Sequence, residues 1–373
     1  MAEPAPPAPP VVPSGFHVVH LVSDREGHTH IEELDPRQAS ESLPYASIAG
    51  TGQSCRSWSR RVSAMRARIA CAAAVWGLML AGAAPAQDID PGPVKIEAQR
   101  LSSRLYFLRG SGGNMALFTG SEGAVLVDSE YAALAPKIRA AIAALTPRPV
   151  RFLINTHCHY DHWGANAAFG RQGTLIIAQQ NTRARLTGPQ EIALFGTHTP
   201  AALPEALPTL TFAEAMTLYL EGERIELVHA SAHTDGDAIV YFRDANVVHT
   251  GDVLIVGSYP FIDEGAGGSI DGMIDATAAL IARTDARTRF IPGHGPLASY
   301  ADVVAYHEML ATVRARVADL IQAGDSVEQV VAARPTLQFD ARYLGTFLKT
   351  PDLWVERVDA DLRRAGVAAP QVH

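Results

Sequence analysis

His157-Cys158-His159-Tyr160-Asp161-His162 places four nitrogen or oxygen donors within six residues. The stretch follows Val150-Arg151-Phe152-Leu153-Ile154, an apolar β-rich run that passes through Asn155-Thr156 into it. In a loop leaving a strand, His157 and His159 can point the same way toward one ion. Asp161 and His162 can then turn toward a second. Neutral imidazole and carboxylate suit Zn²⁺, and an all-nitrogen-and-oxygen set suits a hydrolytic metal better than copper or an iron–sulfur cluster. Cys158 alternates with the ligand histidines, so its side chain is expected to point away and pack.

Three more positions fit the same chemistry. His233 lies in Ala232-His233-Thr234-Asp235-Gly236-Asp237, a turn between two expected strands. Asp252 follows an apolar run in His249-Thr250-Gly251-Asp252, and His294 does so in Pro292-Gly293-His294-Gly295. Each is a metal-competent side chain at a strand end beside glycine, where backbone can approach an ion closely. His198, His229, His249 and His307 lack that setting and read as loop, structural or solvated residues. Tyr259, on a loop seven residues after Asp252, is a candidate for contact with an oxyanion or substrate.

The surrounding pattern explains how such a loop is held. Leu105–Leu108, Met115–Phe118 and Ala124–Val127 are short apolar runs separated by Gly and Ser, which predicts an antiparallel meander. An Ala-rich helix is expected over 131–145, ending before Pro147. The segment 187–210, with Pro189, Pro200, Pro204 and Pro208, reads as loop. A second β series follows over 216–249, then a helix over 269–282 and a strand over 288–291. Ser299 with Asp302 marks the start of a helix running to Ala323, where Gly324 stops it. A last amphipathic helix spans 351–364, with Thr350 as its N-cap and Pro351 at its first position. Two similar αβ halves of this kind can pack sheet against sheet with helices outside.

The order His-x-His-x-Asp-His, then His, then Asp, then His resembles the metallo-β-lactamase superfamily, across essentially all of 95–325. The resemblance implies an α/β (α+β) fold, a four-layer αββα sandwich of two mixed β-sheets with outer helices. It implies that His157, His159 and His233 hold a first zinc. Asp161, His162 and His294 would hold a second, with Asp252 bridging. Asp128 resembles the superfamily's buried acid that supports the metal loop. Two Zn²⁺ bring +4, while Asp161, Asp252 and a bridging hydroxide bring −3. The residual charge favours hydroxide at neutral pH and an anionic transition state. Asp161 stands where it can orient that hydroxide or accept its proton. A bridging Asp is commoner in thioesterases of the glyoxalase II type and in lactonases than in lactamases. The expected activity is therefore a dinuclear zinc hydrolase of a small carbonyl substrate: a β-lactam, lactone, ester or thioester, with a β-lactamase-like activity favoured. The competing class is a mononuclear iron persulfide dioxygenase built on His157, His159, His233 and Asp252.

Composition narrows the rest. The 373 residues are 47% hydrophobic and 19% charged, enough for a sizeable core. A net charge of −8 argues against a nucleic-acid partner and so against a nuclease of this fold. Three cysteines exclude a disulfide framework.

Residues 65–86, MRARIACAAAVWGLMLAGAAPA, combine Arg66 and Arg68, an apolar run and Ala84-Pro85-Ala86. That is a signal-peptide pattern with cleavage before Gln87. The run is too short to span a bilayer comfortably, so no stable membrane insertion is expected after cleavage. Residues 1–64, rich in Pro, Ser and Ala, are expected to be disordered or to precede the true start at Met65. A long twin-arginine leader, suggested by Ser59-Arg60-Arg61, is the competing reading. Either way the expected mature hydrolase domain is 87–373, periplasmic or secreted, with a small molecule as its partner.

Overall fold

A computed structural model describes residues 89–345, 348 and 350–368, and the backbone of residues 18–23 and 29–34. The expected leader, 65–86, and the rest of the expected extension, 1–64, lie outside the described residues. The chain divides into two units, Met1–Ala81 and Gly82–His373. In the first, β1 (Val18–Ser23) pairs antiparallel with β2 (Thr29–Leu34).

The second unit opens with β3 (Glu97–Arg100), β4 (Leu105–Arg109), β5 (Met115–Thr119) and β6 (Ala124–Val127), the antiparallel meander expected from the Gly- and Ser-separated runs. α1 (Ala135–Leu145) then carries the chain to β7 (Val150–Ile154), parallel to β6. Two short helices, α2 (Tyr160–Trp163) and α3 (Asn166–Gly170), follow the loop after β7. β8 (Leu175–Gln179) and α4 (Gln180–Leu186) lead into a small hairpin, β9 (Gln190–Ile192) with β10 (Thr197–Thr199). β11 (Leu210–Phe212) closes a seven-stranded mixed sheet, ordered β11-β8-β7-β6-β5-β4-β3.

The second sheet is built from β12 (Ala215–Leu220), β13 (Glu223–Ala230), β14 (Asp237–Phe242) and β15 (Val247–Ile255), all antiparallel. After α5 (Ile270–Arg283), β16 (Arg289–His294) returns parallel to β15, and β17 (Ala298–Ser299) pairs with β16. The chain ends on α6 (Tyr300–Ala323), α7 (Val327–Ala332), α8 (Asp340–Tyr343) and α9 (Pro351–Arg364). Ser299 and Asp302 close the expected capping box on α6, Gly324 caps its C-terminus, and Thr350 caps α9. Among the described residues no helix is long and apolar enough to cross a membrane.

The period-2 alternation of the strands sets the layers. Ala116, Phe118, Val125 and Val127 face the second sheet and meet Ala238, Val240 and Phe242. Met115, Leu117, Ala124 and Leu126 face the other way onto Leu134, Ile138 and Ile142 around α1. On the second sheet, Ile239 and Tyr241 turn outward onto α5, α6 and α9, through residues such as Met273, Leu310 and Val358. This is the expected αββα sandwich. Because both faces of each sheet are covered, β6, β14 and β15 are buried along their whole length, and β5 up to its last residue. The loop after β7, the β13–β14 turn, β15 and the end of β16 carry the seven expected donors.

Candidate metal centre

The β6 end turns through Asp128 and Glu130, both with positive φ (59° and 52°), and this sets the floor of the site. Asp128 is fully buried. Its Oδ1 accepts from Thr156 N at 2.8 Å, and its Oδ2 from Thr156 Oγ1 at 2.7 Å. His162 Nδ1 donates to the same Oδ2 at 2.7 Å. Asp128 therefore braces the His157–His162 loop from beneath, as the resemblance implied.

Asp252 lies within β15 rather than after it. The β15–β16 register breaks between His249 and Gly251 and again before Ile255, which frees the strand from regular pairing around Asp252. Gly251 has φ +52°, and a Cβ there would stand 2.8 Å from the Thr156 side chain. Gly293, beside His294, lies so close to Asp252 that a Cβ would collide with its carboxylate.

These elements bring the seven expected metal donors together in two groups. His157, His159, His233 and Asp252 form one, and Asp161, His162 and His294 the other, with ligand-capable atoms within 4.8 Å of one another in each. Asp252 faces both. Its Oδ1 is 3.2 Å from His162 Nε2, and its Oδ2 is 3.7 Å from His233 Nε2 and 3.5 Å from His294 Nε2. Asp161 Oδ2 is 3.2 Å from His294 Nε2 and 3.6 Å from His162 Nε2.

The outer nitrogen of each of four histidines is tied down. His157 Nδ1 donates to Thr156 Oγ1 (3.0 Å), whose own proton goes to Asp128. His159 Nε2 donates to Asp263 Oδ2 (2.8 Å), and His233 Nδ1 to the Phe261 carbonyl (2.7 Å). With His162 held by Asp128, each of these four rings is fixed with its other nitrogen turned inward. His233 Nε2 and His159 Nδ1 stand 2.9 Å apart. His157 Nε2 and Asp252 Oδ1 are buried without a hydrogen-bond donor. Imidazole nitrogens and carboxylates converging in a buried site call for a cation among them, so the residues fit a metal cofactor.

Charge points the same way. Burial lowers the pKa of His157, and it brings His233 down to about 4, with His159 adding to the effect. Both are neutral, ligand-competent imidazoles. Burial also opposes the charged forms of His162 and His294, but the surrounding carboxylates outweigh it and raise both, His294 to about 9. Burial opposes ionisation of Asp161 too, yet His162 and His294 bring its pKa down to about 2. This half of the site is rich in negative charge that wants a positive partner.

Other expected residues fall elsewhere. Tyr259 does not reach the site. Its ring stacks on Trp354 at 4.5 Å and its hydroxyl donates to Asp340 Oδ1 at 2.8 Å, because the loop after β15 turns it into the core under α8 and α9. Cys158 packs among Trp163, Leu186, Ala206 and Ala266, with its thiol pKa pushed up by burial. His249 accepts from Gly251 N and donates to the Asn114 carbonyl, a structural role. His307 is half-buried on α6 and bonded to Thr277 Oγ1 at 2.9 Å.

What sequence reasoning missed lies two and four residues beyond Tyr259. Phe261 lines the cleft and accepts from His233, and Asp263 holds His159. Asp237, which accepts from the His233 and Thr234 amides, braces the His233 turn. Burial raises its pKa to about 7. Over the donors opens a cleft of about 420 Å³, walled by Tyr131, Tyr160 and the β9–β10 hairpin as well as by Phe261.

Residues 108–294, half of the chain, match the metallo-beta-lactamase superfamily. The chain belongs to that superfamily. Among solved structures it is similar to a metallo-beta-lactamase from Pontibacter korlensis (20% identity, TM-score 0.47), over 58% of this chain and 99% of that one. It is also similar to the stereoselective inverting sec-alkylsulfatase Pisa1 from Pseudomonas sp. (17% identity, TM-score 0.54), over 74% of this chain. The chain spans about half the length of that sulfatase, covering 52% of it. At this identity the sulfatase likeness concerns the fold. The superfamily match and the donor cluster together describe a hydrolase with a metal cofactor.

Proposed function

We propose that the chain is an exported dinuclear zinc hydrolase acting on a small carbonyl substrate. The observation that carries this reading is Asp252, whose two carboxylate oxygens face both donor groups at once. A lone ion would use the first group only, as the iron oxygenase alternative requires. The second group, Asp161, His162 and His294, then has no purpose. When bound, two zinc ions would supply Lewis acidity toward a carbonyl and a water acidic enough to react near neutral pH.

The chain's own residues do the positioning. Asp161 stays ionised across the physiological range and opens onto the cleft, so it can accept a hydrogen bond from a water and hold it toward the carbonyl. Tyr131, also lining the cleft, keeps its proton because burial, then Asp161 and Glu130, raise its pKa. It can therefore donate to a substrate oxygen. Asp263, Asp128 and the Phe261 carbonyl fix the histidine rings, so the ligand geometry exists before substrate arrives.

Metal analysis with a hydrolysis panel of lactams, lactones, esters, thioesters and an alkyl sulfate tests the reading, on protein beginning at Gln87. The expectation is about two zincs per chain and turnover of a carbonyl substrate. Asp252→Asn removes negative charge between two dications, so the second ion should leave first. About one zinc per chain should remain, with most of the rate lost. One iron per wild-type chain, or two zincs and full rate in Asp252→Asn, overturns the dinuclear assignment. Export rests on residues 65–86. Host-expressed protein should begin at or near Gln87, and recovery of the intact 65–86 segment on the exported protein contradicts it.

A further inference from the structure

The walls of the cleft carry a charge pattern that the metal ligands do not explain. Among the described residues, every lining side chain able to bear charge between about pH 3 and 9 is one of the donors: His159, Asp161, Asp252 and His294. No Lys or Arg lines it among the described residues. Arg185, the cation closest in sequence to the β9–β10 hairpin, is held by Asp235, with Nε and Nη2 at 2.7 and 2.6 Å from the two carboxylate oxygens.

The rest of the wall is aromatic or neutral. Phe195, on the tip joining β9 to β10, packs edge-on against Phe261 at 4.9 Å. Phe261 in turn lies against the rings of His159 (5.9 Å) and His233 (5.8 Å), so aromatic surface runs unbroken from the 41%-exposed Phe195 to the donors. Tyr131 and Tyr160 form a second pair at 6.1 Å. Thr197, Thr199, Gln190 and Ser111 supply only neutral hydrogen bonding.

Resting on the hydrolase reading above, we propose that this cleft selects uncharged aryl esters or lactones over carboxylate-bearing substrates, with Phe195 and Phe261 seating the aryl group. Ring faces and edges favour an aryl group by stacking beyond simple burial. A carboxylate carried on that group, seated between Phe195 and Phe261 away from the donors, would lose its water among phenyl rings where no Lys or Arg of the described residues meets it, which is costly.

Matched pairs test this on the zinc-loaded protein: phenyl acetate against 4-acetoxybenzoate for turnover, and acetanilide against 4-acetamidobenzoate for calorimetric binding. The neutral member of each pair should be favoured by about tenfold or more, in kcat/KM and in affinity. Phe195→Ala should cut the phenyl acetate over ethyl acetate ratio by a similar factor while zinc content and circular dichroism stay as in wild type. Thr197→Arg, which sets a cation on the rim, should shrink or reverse the discrimination against 4-acetoxybenzoate. Equal or better handling of the carboxylates by the wild type, or an unchanged aryl preference in Phe195→Ala, overturns the proposal. If no ester is turned over, the hydrolase reading suffers, and the binding pair still decides the neutral-aryl selection by itself.

Discussion

Each imidazole at the centre has two nitrogens, and the residue that grips the outer one decides which faces inward. For His159 that residue is Asp263, 104 positions away, which also caps its own short turn through Ala266 N. Asp263→Asn keeps the shape but replaces a carboxylate acceptor with an amide whose NH₂ can face His159. Zinc affinity should fall by about tenfold to a hundredfold, read by chelator competition, with circular dichroism unchanged. Unaltered affinity would show that His159 is oriented by packing alone. Tyr259→Phe makes the opposite kind of prediction. It removes the bond to Asp340 in the core, so stability should drop by about 1 kcal/mol in a denaturant titration while zinc content holds. At this scale the candidate metal donors were legible because four of them crowd into His157–His162. Asp263 was not, because nothing local marks an Asp as the partner of a histidine a hundred residues earlier. Tyr259 misled because the Tyr-Pro-Phe-Ile-Asp stretch does reach the site, through Phe261 and Asp263.

Helix ends obeyed their local chemistry. The Ser299–Asp302 box is closed on both sides, Ser299 Oγ accepting from Asp302 N and Asp302 Oδ2 from Ser299 N at 2.9 Å. Ser299→Ala should therefore cost about 1 kcal/mol of global stability, measured by chemical denaturation. No measurable loss would mean that solvent replaces the cap. Strands covered on both faces were equally readable, since burial at every position leaves them as continuous apolar runs between turn residues. The β9–β10 hairpin was not. Its strands are three residues each, too short for a period, and the prolines around them read as loop. Yet this hairpin supplies a wall of the cleft, through Gln190, Phe195 and Thr197. α4 was missed for a related reason: its seven residues mix polar and apolar side chains without a clear stripe.

Across the molecule, Glu226 on β13 gathers Arg243, Arg224 and Arg283, the last residue of α5, and so ties the second sheet to its outer helix. The bond to Arg243, against a smaller opposing effect of burial, lowers the Glu226 pKa below its ordinary 4.5. A depressed acid pKa contributes stability that is present above 4.5 and lost as pH falls through the folded value. Glu226→Gln should thus be less stable than wild type at pH 7, and the gap should close as the pH drops below about 4.5. A gap that persists at pH 3 would assign the effect to geometry rather than charge.

The site itself joins the two halves of the fold. Asp161, His162 and two further histidines come from the loop after β7 in the first sheet, and His233, Asp252 and His294 come from the second. Ions held between them would cross-link sheets otherwise joined by the apolar layer of Phe118, Val240 and their neighbours. A ligand that binds only the folded state adds stability that grows with its free concentration, about 2.7 kcal/mol at a hundred times its dissociation constant. Removing zinc with a chelator should then lower Tm by roughly 5 °C or more, and adding it back should restore it. Asp252→Asn, retaining one ion, should show a smaller drop on chelation than wild type, because less bound metal is lost. If wild type and Asp252→Asn lose the same Tm on chelation, Asp252 does not hold a second ion between the sheets. The cross-link would then belong to the first donor group alone.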